Sequence, residues 1–329
     1  MPRLGVLGTM VWDRIYARDG RAHPVEEWGG ISYALAAATA ARPAGWDIVP
    51  IIKIGADLEA EARRFLRSLP GLDLEPGLRS VPEPNNRVEL RYQDRERRSE
   101  RLTGGVPPWT FPELAGILEG LDALYVNFIS GFELDLETAT RVRLAFRGPI
   151  YADLHSLLLA VDPGGYRVPQ PLAAWREWLR CFDIVQVNEA ELGLLASAWG
   201  DPWRFAAEMV GEELRLLLVT LGPRGAAYIA GPAFRPSPLS WYEDDGLALR
   251  RPLGVPGAVR SELVPPDGAP RDGDPTGCGD VWGATCFAGL LAGLSLEDAI
   301  GAANAAAARN VEHRGATGLH LFLQKRIAT

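Results

Sequence analysis

The stretch Asp274-Pro275-Thr276-Gly277-Cys278-Gly279-Asp280, which runs into the apolar residues 281–291, governs how the rest of the chain is read. Glycines at 277 and 279 let the backbone turn tightly and leave N–H groups open at the start of a helix. Unpaired amides and the helix dipole both favour negative charge there, so the stretch predicts an anion site. Asp280 at the same helix end is unusual company for an anion. A carboxylate makes chemical sense there if it takes the proton from a hydroxyl that attacks a bound phosphate. The alternative is a capped glycine turn in which Asp280 only stabilises the first helical turn.

Outward from this turn, short apolar runs recur at 4–8, 48–52, 123–128, 150–154, 183–187 and 214–221. They are continuous rather than alternating, as expected of strands buried on both faces of a parallel sheet. Helical patterns lie between them. Asp57 is placed to cap a helix over 58–69, with Glu59 and Arg63 at i,i+4 spacing. Ser295 and Asp298 form a capping box ahead of the alanine-rich 299–309. This alternation predicts an α/β fold with a doubly wound, mostly parallel sheet.

Two stretches break the rhythm. Residues 13–28 read as two short strands around the turn Arg18-Asp19-Gly20-Arg21. Residues 72–105 carry no helix pattern, and Arg87–Tyr92 with 97–103 reads as a hairpin around 93–96. Together they predict a small β-sheet lid, a common way to close a site against water. The expected organisation is a core of 1–12, 29–71 and 106–329, with a lid of 13–28 and 72–105. The Pro/Gly-rich 251–272 reads as a connection within the core.

The chain has 329 residues, 47% of them hydrophobic and 23% charged, which permits a large core without disulfides or a structural metal. A net charge of −8 argues against a general nucleic-acid binder. Of 34 basic residues only Lys53 and Lys325 are lysines. Cys181, Cys278 and Cys286 form no C-x-x-C pair, a reduced pattern. The four histidines have no zinc spacing, and His155 and His313 read as structural. The N-terminus lacks the charged-then-apolar pattern of a signal peptide. The longest apolar stretch, 281–294, is interrupted by glycines and too short to span a bilayer. A cytoplasmic protein with no nucleic-acid or membrane partner is expected.

The 274–280 stretch resembles the D-T-x-G-A-G-D signature of the ribokinase-like (PfkB) carbohydrate and nucleoside kinases. Other segments resemble the family in the same order. Gly8 and Asp13 match its first strand and sugar-binding aspartate, Gly29-Gly30 its G-G element, and Gly55-Ala56-Asp57 its G-x-D turn. Asn188-Glu189-Ala190-Glu191 matches N-x-x-E, and Thr220-Leu221-Gly222-Pro223-Arg224-Gly225 its T-L-G-x-x-G loop. Ala303-Asn304 and Arg314-Gly315-Ala316 resemble its closing segment. The resemblance covers nearly the whole chain.

By that resemblance the protein is an ATP-dependent kinase acting on a hydroxyl of a sugar or sugar-like small molecule, with nucleosides and cyclitols as alternative acceptors. Asp280 would be the general base, and the amides of Gly277, Cys278 and Gly279 would stabilise the transferring phosphoryl group. Asn188 and Glu191 would organise Mg²⁺ and its waters. Thr220, Gly222, Gly225 and Asn304 would line the ATP site. Asp274 and Thr276 would lie near a monovalent-cation (K⁺) site. Asp13, Gly29 and Gly30 would hold the acceptor, and lid pairing between two chains would give a homodimer.

Each of these residues has a plainer reading. Asn188 and Glu191 fit an ordinary N-cap with its N3 glutamate, Gly222 and Gly225 a simple turn, Asp13 a surface pair with Arg14 or Arg21, and Asn304 a solvent-facing helix position. The chain also departs from the family. Ala34 stands where the G-G-x-x-x-N element has asparagine, Cys278 where alanine is usual, and Leu58-Glu59 where the G-x-D turn continues to glycine. Arg87 in the lid is suited to an acidic or phosphorylated acceptor, although a solvated hairpin face explains it too. Trp12 and Trp28 fit either stacking on a sugar or base, or core packing. No G-x-x-x-x-G-K-[ST] occurs. A nicotinamide oxidoreductase is disfavoured because no G-x-G-x-x-G follows the first strand. A non-catalytic sugar or nucleotide sensor on the same scaffold remains a rival.

Overall fold

The computed structural model describes residues 1–16, 24–92, 98–232, 234–242, 258–269 and 271–324. The turns read at 18–21 and 93–96, and part of the 251–272 connection, lie outside these described residues.

A nine-stranded sheet runs, edge to edge, Arg260–Val264, Ala226–Ala230, Leu216–Thr220, Ile184–Asn188, Ile150–Asp153, Ala123–Asn127, Arg3–Leu7, Asp47–Gly55 and Leu78–Val81. Seven of these strands pair in parallel, and Ala226–Ala230 is antiparallel to both its neighbours. All six apolar runs read from the sequence are strands of this sheet. Their burial on both faces is the physical reason for their continuity.

Helices cover both faces. Ile31–Ala41, Cys278–Leu291 and Leu296–Asn310 pack side by side on one face. Phe111–Leu118, Leu136–Ala145, Glu189–Leu195 and Pro202–Glu212 cover the other. Every residue from Val281 to Leu291 is buried, so that helix forms the centre of its layer. Ser295 caps Leu296–Asn310 by accepting from the Asp298 amide, as its sequence predicts.

The helix expected over 58–69 forms as Glu59–Arg67, but Asp57 does not cap it. The Asp57 carboxylate turns the other way, accepting from the Asn85 amide at 2.7 Å and from Arg87 at 2.6 Å. Two charge-assisted bonds outweigh one helix cap.

A separate four-stranded sheet has the order Val25–Gly30, Met10–Tyr16, Arg87–Tyr92, Arg98–Thr103. It takes in residues 10–12 and Gly29-Gly30 from the stretches assigned to the core. Leu78–Val81, from a stretch assigned to the lid, pairs instead with Ile52–Gly55 on the main sheet edge. A further strand, Arg260–Val264, lies inside the stretch read as a connection. Residues 260–263 of that strand are exposed, so no apolar run marks it.

Candidate active site

The parallel sheet sets the site. Asn127, Asp153, Asn188 and Thr220 are the last residues of four neighbouring parallel strands. The register puts Asn127 beside Asp153, Asp153 beside Gln186, and Asn188 beside Thr220. Residues far apart in sequence therefore end in one row. The row starts where the strand order reverses, between Arg3–Leu7 and Ala123–Asn127, the place where open α/β sheets bind ligands.

The signature turn meets this row. Gly277 adopts φ 77°, open only to glycine at low cost, and a Cβ there would stand 2.3 Å from the Tyr33 ring. The Asp274 Oδ1 accepts from the Thr276 amide at 2.9 Å and its hydroxyl at 2.6 Å, which closes the turn. Asp280 lies in the first turn of Cys278–Leu291, and the Asn127 Nδ2 donates to its Oδ1 at 2.7 Å. That bond fixes the carboxylate over the end of the central strand. Cys278 contacts the Ala307 carbonyl and the Asn310 side chain, a small packed residue at the helix start.

Asp13 and Tyr33 form the neighbouring wall. Asp13 is buried, and a Cβ on Gly29 would fall 1.8 Å from its Oδ2. Gly29 is therefore the residue that lets the two lid strands close over this carboxylate. Arg14 pairs with Glu26, and Arg21, the other surface partner read for Asp13, lies outside the described residues. Burial, and then the carboxylates of Asp13, Asp274 and Asp280, hold the Tyr33 phenol neutral far above its usual range. The charges of these acids thus reach one buried phenol. Ala34 is fully buried. Trp12 and Trp28 pack edge to face at 5.0 Å, with Trp28 in the core. Arg87 is engaged with Asp57 at 2.6 Å.

On the other side of Asp280, Asn188 and Glu191 make a reciprocal capping box. Asn188 Oδ1 accepts from the Glu191 amide at 2.9 Å, and Glu191 Oε2 accepts from the Asn188 amide at 2.8 Å. His155 Nδ1 stands 2.5 Å from Glu191 Oε1. Burial alone would lower the imidazole, but the Glu191 charge wins and pushes it up to about 9. Burial, and then Glu191, push the Asp153 carboxyl up to about 8. His155, read as structural, therefore belongs to this polar group. Gly222 and Gly225 form the turn after Thr220, with φ 58° and 92°. Beside that turn Arg224 pairs with Glu189 at 2.5 Å. Asn304 is buried rather than solvent-facing: Oδ1 accepts from Trp282 at 2.8 Å and Nδ2 donates to the Val264 carbonyl at 3.0 Å.

Tyr33, Asn127, Asp153, His155 and Gln186 escaped the sequence reading of the site. Four of them are polar residues in or just after apolar strand runs, which was the available signal. Among the described residues no group of three or more His, Cys, Asp or Glu side chains could hold a metal unaided. No helix among them is long and apolar enough to cross a membrane.

No family model matches the chain, and no curated protein matches it in sequence. Solved structures do match. A sulfate complex of a pyrophosphate-dependent kinase in the ribokinase family superposes with TM-score 0.72 at 18% identity, covering 97% of this chain and 99% of that one. The chain has the ribokinase-like fold. Arabidopsis thaliana ribokinase, complexed with ribose and ATP, shares it with TM-score 0.68 and 19% identity over 99% of both chains. Burkholderia thailandensis nucleoside kinase with inosine shares it with TM-score 0.68 and 18% identity, covering 97% of this chain and 94% of that one. The large parallel sheet and small separate sheet are those of the ribokinase-like fold.

Proposed function

We propose that the protein is a kinase that transfers a phosphoryl group to a hydroxyl of a sugar, cyclitol or nucleoside, with Asp280 as general base. One observation carries this reading: the Asp280 carboxylate, oriented by Asn127, stands at a glycine-built helix start over the strand ends. Asp280 would take the hydroxyl proton as the oxygen attacks phosphorus. The amides at 277–279, together with the helix dipole, would stabilise the charge on the transferring group.

Asp13, Gly29 and Gly30 would hold the acceptor beside Tyr33. Arg87 is already paired, so an anionic acceptor gains little from it. Asp274 and Thr276 would adjoin a K⁺ site.

Donor phosphates would lie along Thr220, Gly222, Gly225 and Asn188. Magnesium fits this region, because it is usually held by phosphate oxygens, water and one or two carboxylates rather than by a protein cage. Glu191, its carboxylate fixed by Asn188 and His155, would hold it through water. When bound, the ion would neutralise donor charge. ATP is the donor of this reading. Pyrophosphate is the second donor worth testing, because Asn304, expected in the ATP site, is hydrogen-bonded to Trp282 and Val264. The fold is also shared with a pyrophosphate-dependent kinase.

The test is phosphoryl transfer from Mg²⁺-ATP and Mg²⁺-pyrophosphate to ribose, fructose, 2-keto-3-deoxygluconate, myo-inositol and ribonucleosides. Turnover of one pair should fall roughly 100- to 10,000-fold in Asp280→Asn. Full activity in that variant would reject the assignment of the base.

A further inference from the structure

We infer that Gln186 is a positioning residue for Asp280, acting through the Gly279 carbonyl. The inference rests on the kinase reading of Asp280 and goes beyond it. Gln186 sits inside the strand Ile184–Asn188, and its side chain points up into the start of Cys278–Leu291. It is only 2% exposed. A buried primary amide is tolerated where its donors and acceptor are used. Here Nε2 donates to the Gly279 carbonyl at 3.1 Å and to Asp153 Oδ2 at 3.0 Å, and Oε1 accepts from the Tyr151 hydroxyl at 2.6 Å.

The Gly279 carbonyl and the Asp280 N–H belong to one rigid peptide plane. A bond to that carbonyl therefore sets the direction of the Asp280 amide and the position from which its carboxylate leaves the helix. The other end of the carboxylate is fixed by Asn127. Gln186 and Asn127 thus hold the base from two strands.

Gly283 supplies the matching feature, one helical turn further on. A Cβ there would fall 2.2 Å from Gln186 Oε1 and 2.6 Å from the Tyr125 hydroxyl. Alanine suits a helix interior better than glycine, so the glycine is explained by the space the Gln186 amide needs.

The experiment compares kcat and donor KM of the parent, Gln186→Met, Gly283→Ala, the double variant and Asp280→Asn. It uses whichever donor–acceptor pair the parent turns over. Methionine keeps the length and fills the space but donates nothing to Gly279. Loss of positioning should lower kcat about tenfold or more with donor KM little changed, because the base takes its proton in the transition state. Gly283→Ala should do the same by pushing the amide aside. The double variant should be no worse than either single one, because both remove one bond. If Gln186→Met unfolds, as melting would show, Gly283→Ala decides. Near-parental kcat in the folded variants, with Asp280→Asn inactive, overturns the inference and leaves the kinase reading standing. A fully active Asp280→Asn, or a parent silent on every pair, overturns that reading and this inference with it.

Discussion

Asp280 accepts a hydrogen bond from a neutral partner, the Asn127 amide, at 2.7 Å. A guanidinium or ammonium there would hold the carboxylate too strongly ionised to accept a proton usefully. Asn127→Asp would instead set a second carboxylate at the same contact, where like charges disfavour ionisation of either. The kcat–pH profile should move to higher pH by about one unit or more. An unmoved profile with normal folding would show that Asn127 does not touch the reacting base. At this scale the sequence exposed groups that carry a motif: Gly277, Gly279, Asp280, Asn188 and Glu191. It hid Tyr33, because a tyrosine in an apolar helix looks like core, and three dimensions are needed to bring the charges of Asp13, Asp274 and Asp280 within reach of it. The same holds for Asn127 and Gln186, whose roles depend on which strands become neighbours.

At the scale of elements, the strand Ile184–Asn188 is anchored at its start by a buried charge pair. Asp183 accepts from Arg143 at 2.7 Å and from the Ile150 amide at 2.9 Å, joining the helix Leu136–Ala145 to two strands. Asp183→Ala takes a carboxylate away from a guanidinium buried with it, and should cost about 3–5 kcal/mol in chemical denaturation. A loss below about 1 kcal/mol would show that the pair relaxes to water. At the other end of these strands, His155 is raised from 6.5 to about 9 and Asp153 from 3.8 to about 8. The folded state therefore holds protons that the unfolded chain has released, so both contributions fall as pH rises through these folded values. The melting temperature should decline between pH 6.5 and 9, and His155→Gln should make that decline shallower. A flat parental curve would argue against the His155–Glu191 contact. The buried strands were legible because both faces are apolar. Leu78–Val81 and Arg260–Val264 were not, because an edge strand is exposed and loses the continuous apolar run. Asp57 was misread because local spacing offers a helix cap and cannot show that Arg87 lies across the lid junction.

At the scale of the whole molecule, the small sheet is tied to the core by contacts distant in sequence, besides the Arg87–Asp57 pair. Glu27, on one lid strand, accepts from the Thr317 hydroxyl at 2.6 Å and lies over Gly315. On the opposite edge, the Leu102 amide donates to the Gly165 carbonyl at 2.8 Å, and Arg101 donates to the Gly164 carbonyl at 2.9 Å. The turn 162–166 belongs to the hairpin of Leu159–Val161 and Arg167–Pro169, which the sequence did not reveal and which reaches up to the lid. Arg167 ties this contact to the site: it faces Glu100 at 3.4 Å and donates to the Ile129 carbonyl at 2.6 Å, with both charged side chains largely buried. A buried, charge-assisted bond is worth about 1.5–3 kcal/mol, whereas the main sheet draws its stability from its own apolar core. Arg167→Leu should therefore loosen the lid without melting the molecule. In native-state hydrogen exchange the Leu102 amide should exchange about tenfold faster or more, while amides of Leu216–Thr220 keep their protection. Equal acceleration in both sheets would mean that lid and core open as one unit, and no acceleration would mean that the remaining contacts, Glu27–Thr317 and Arg87–Asp57 among them, hold the lid without Arg167.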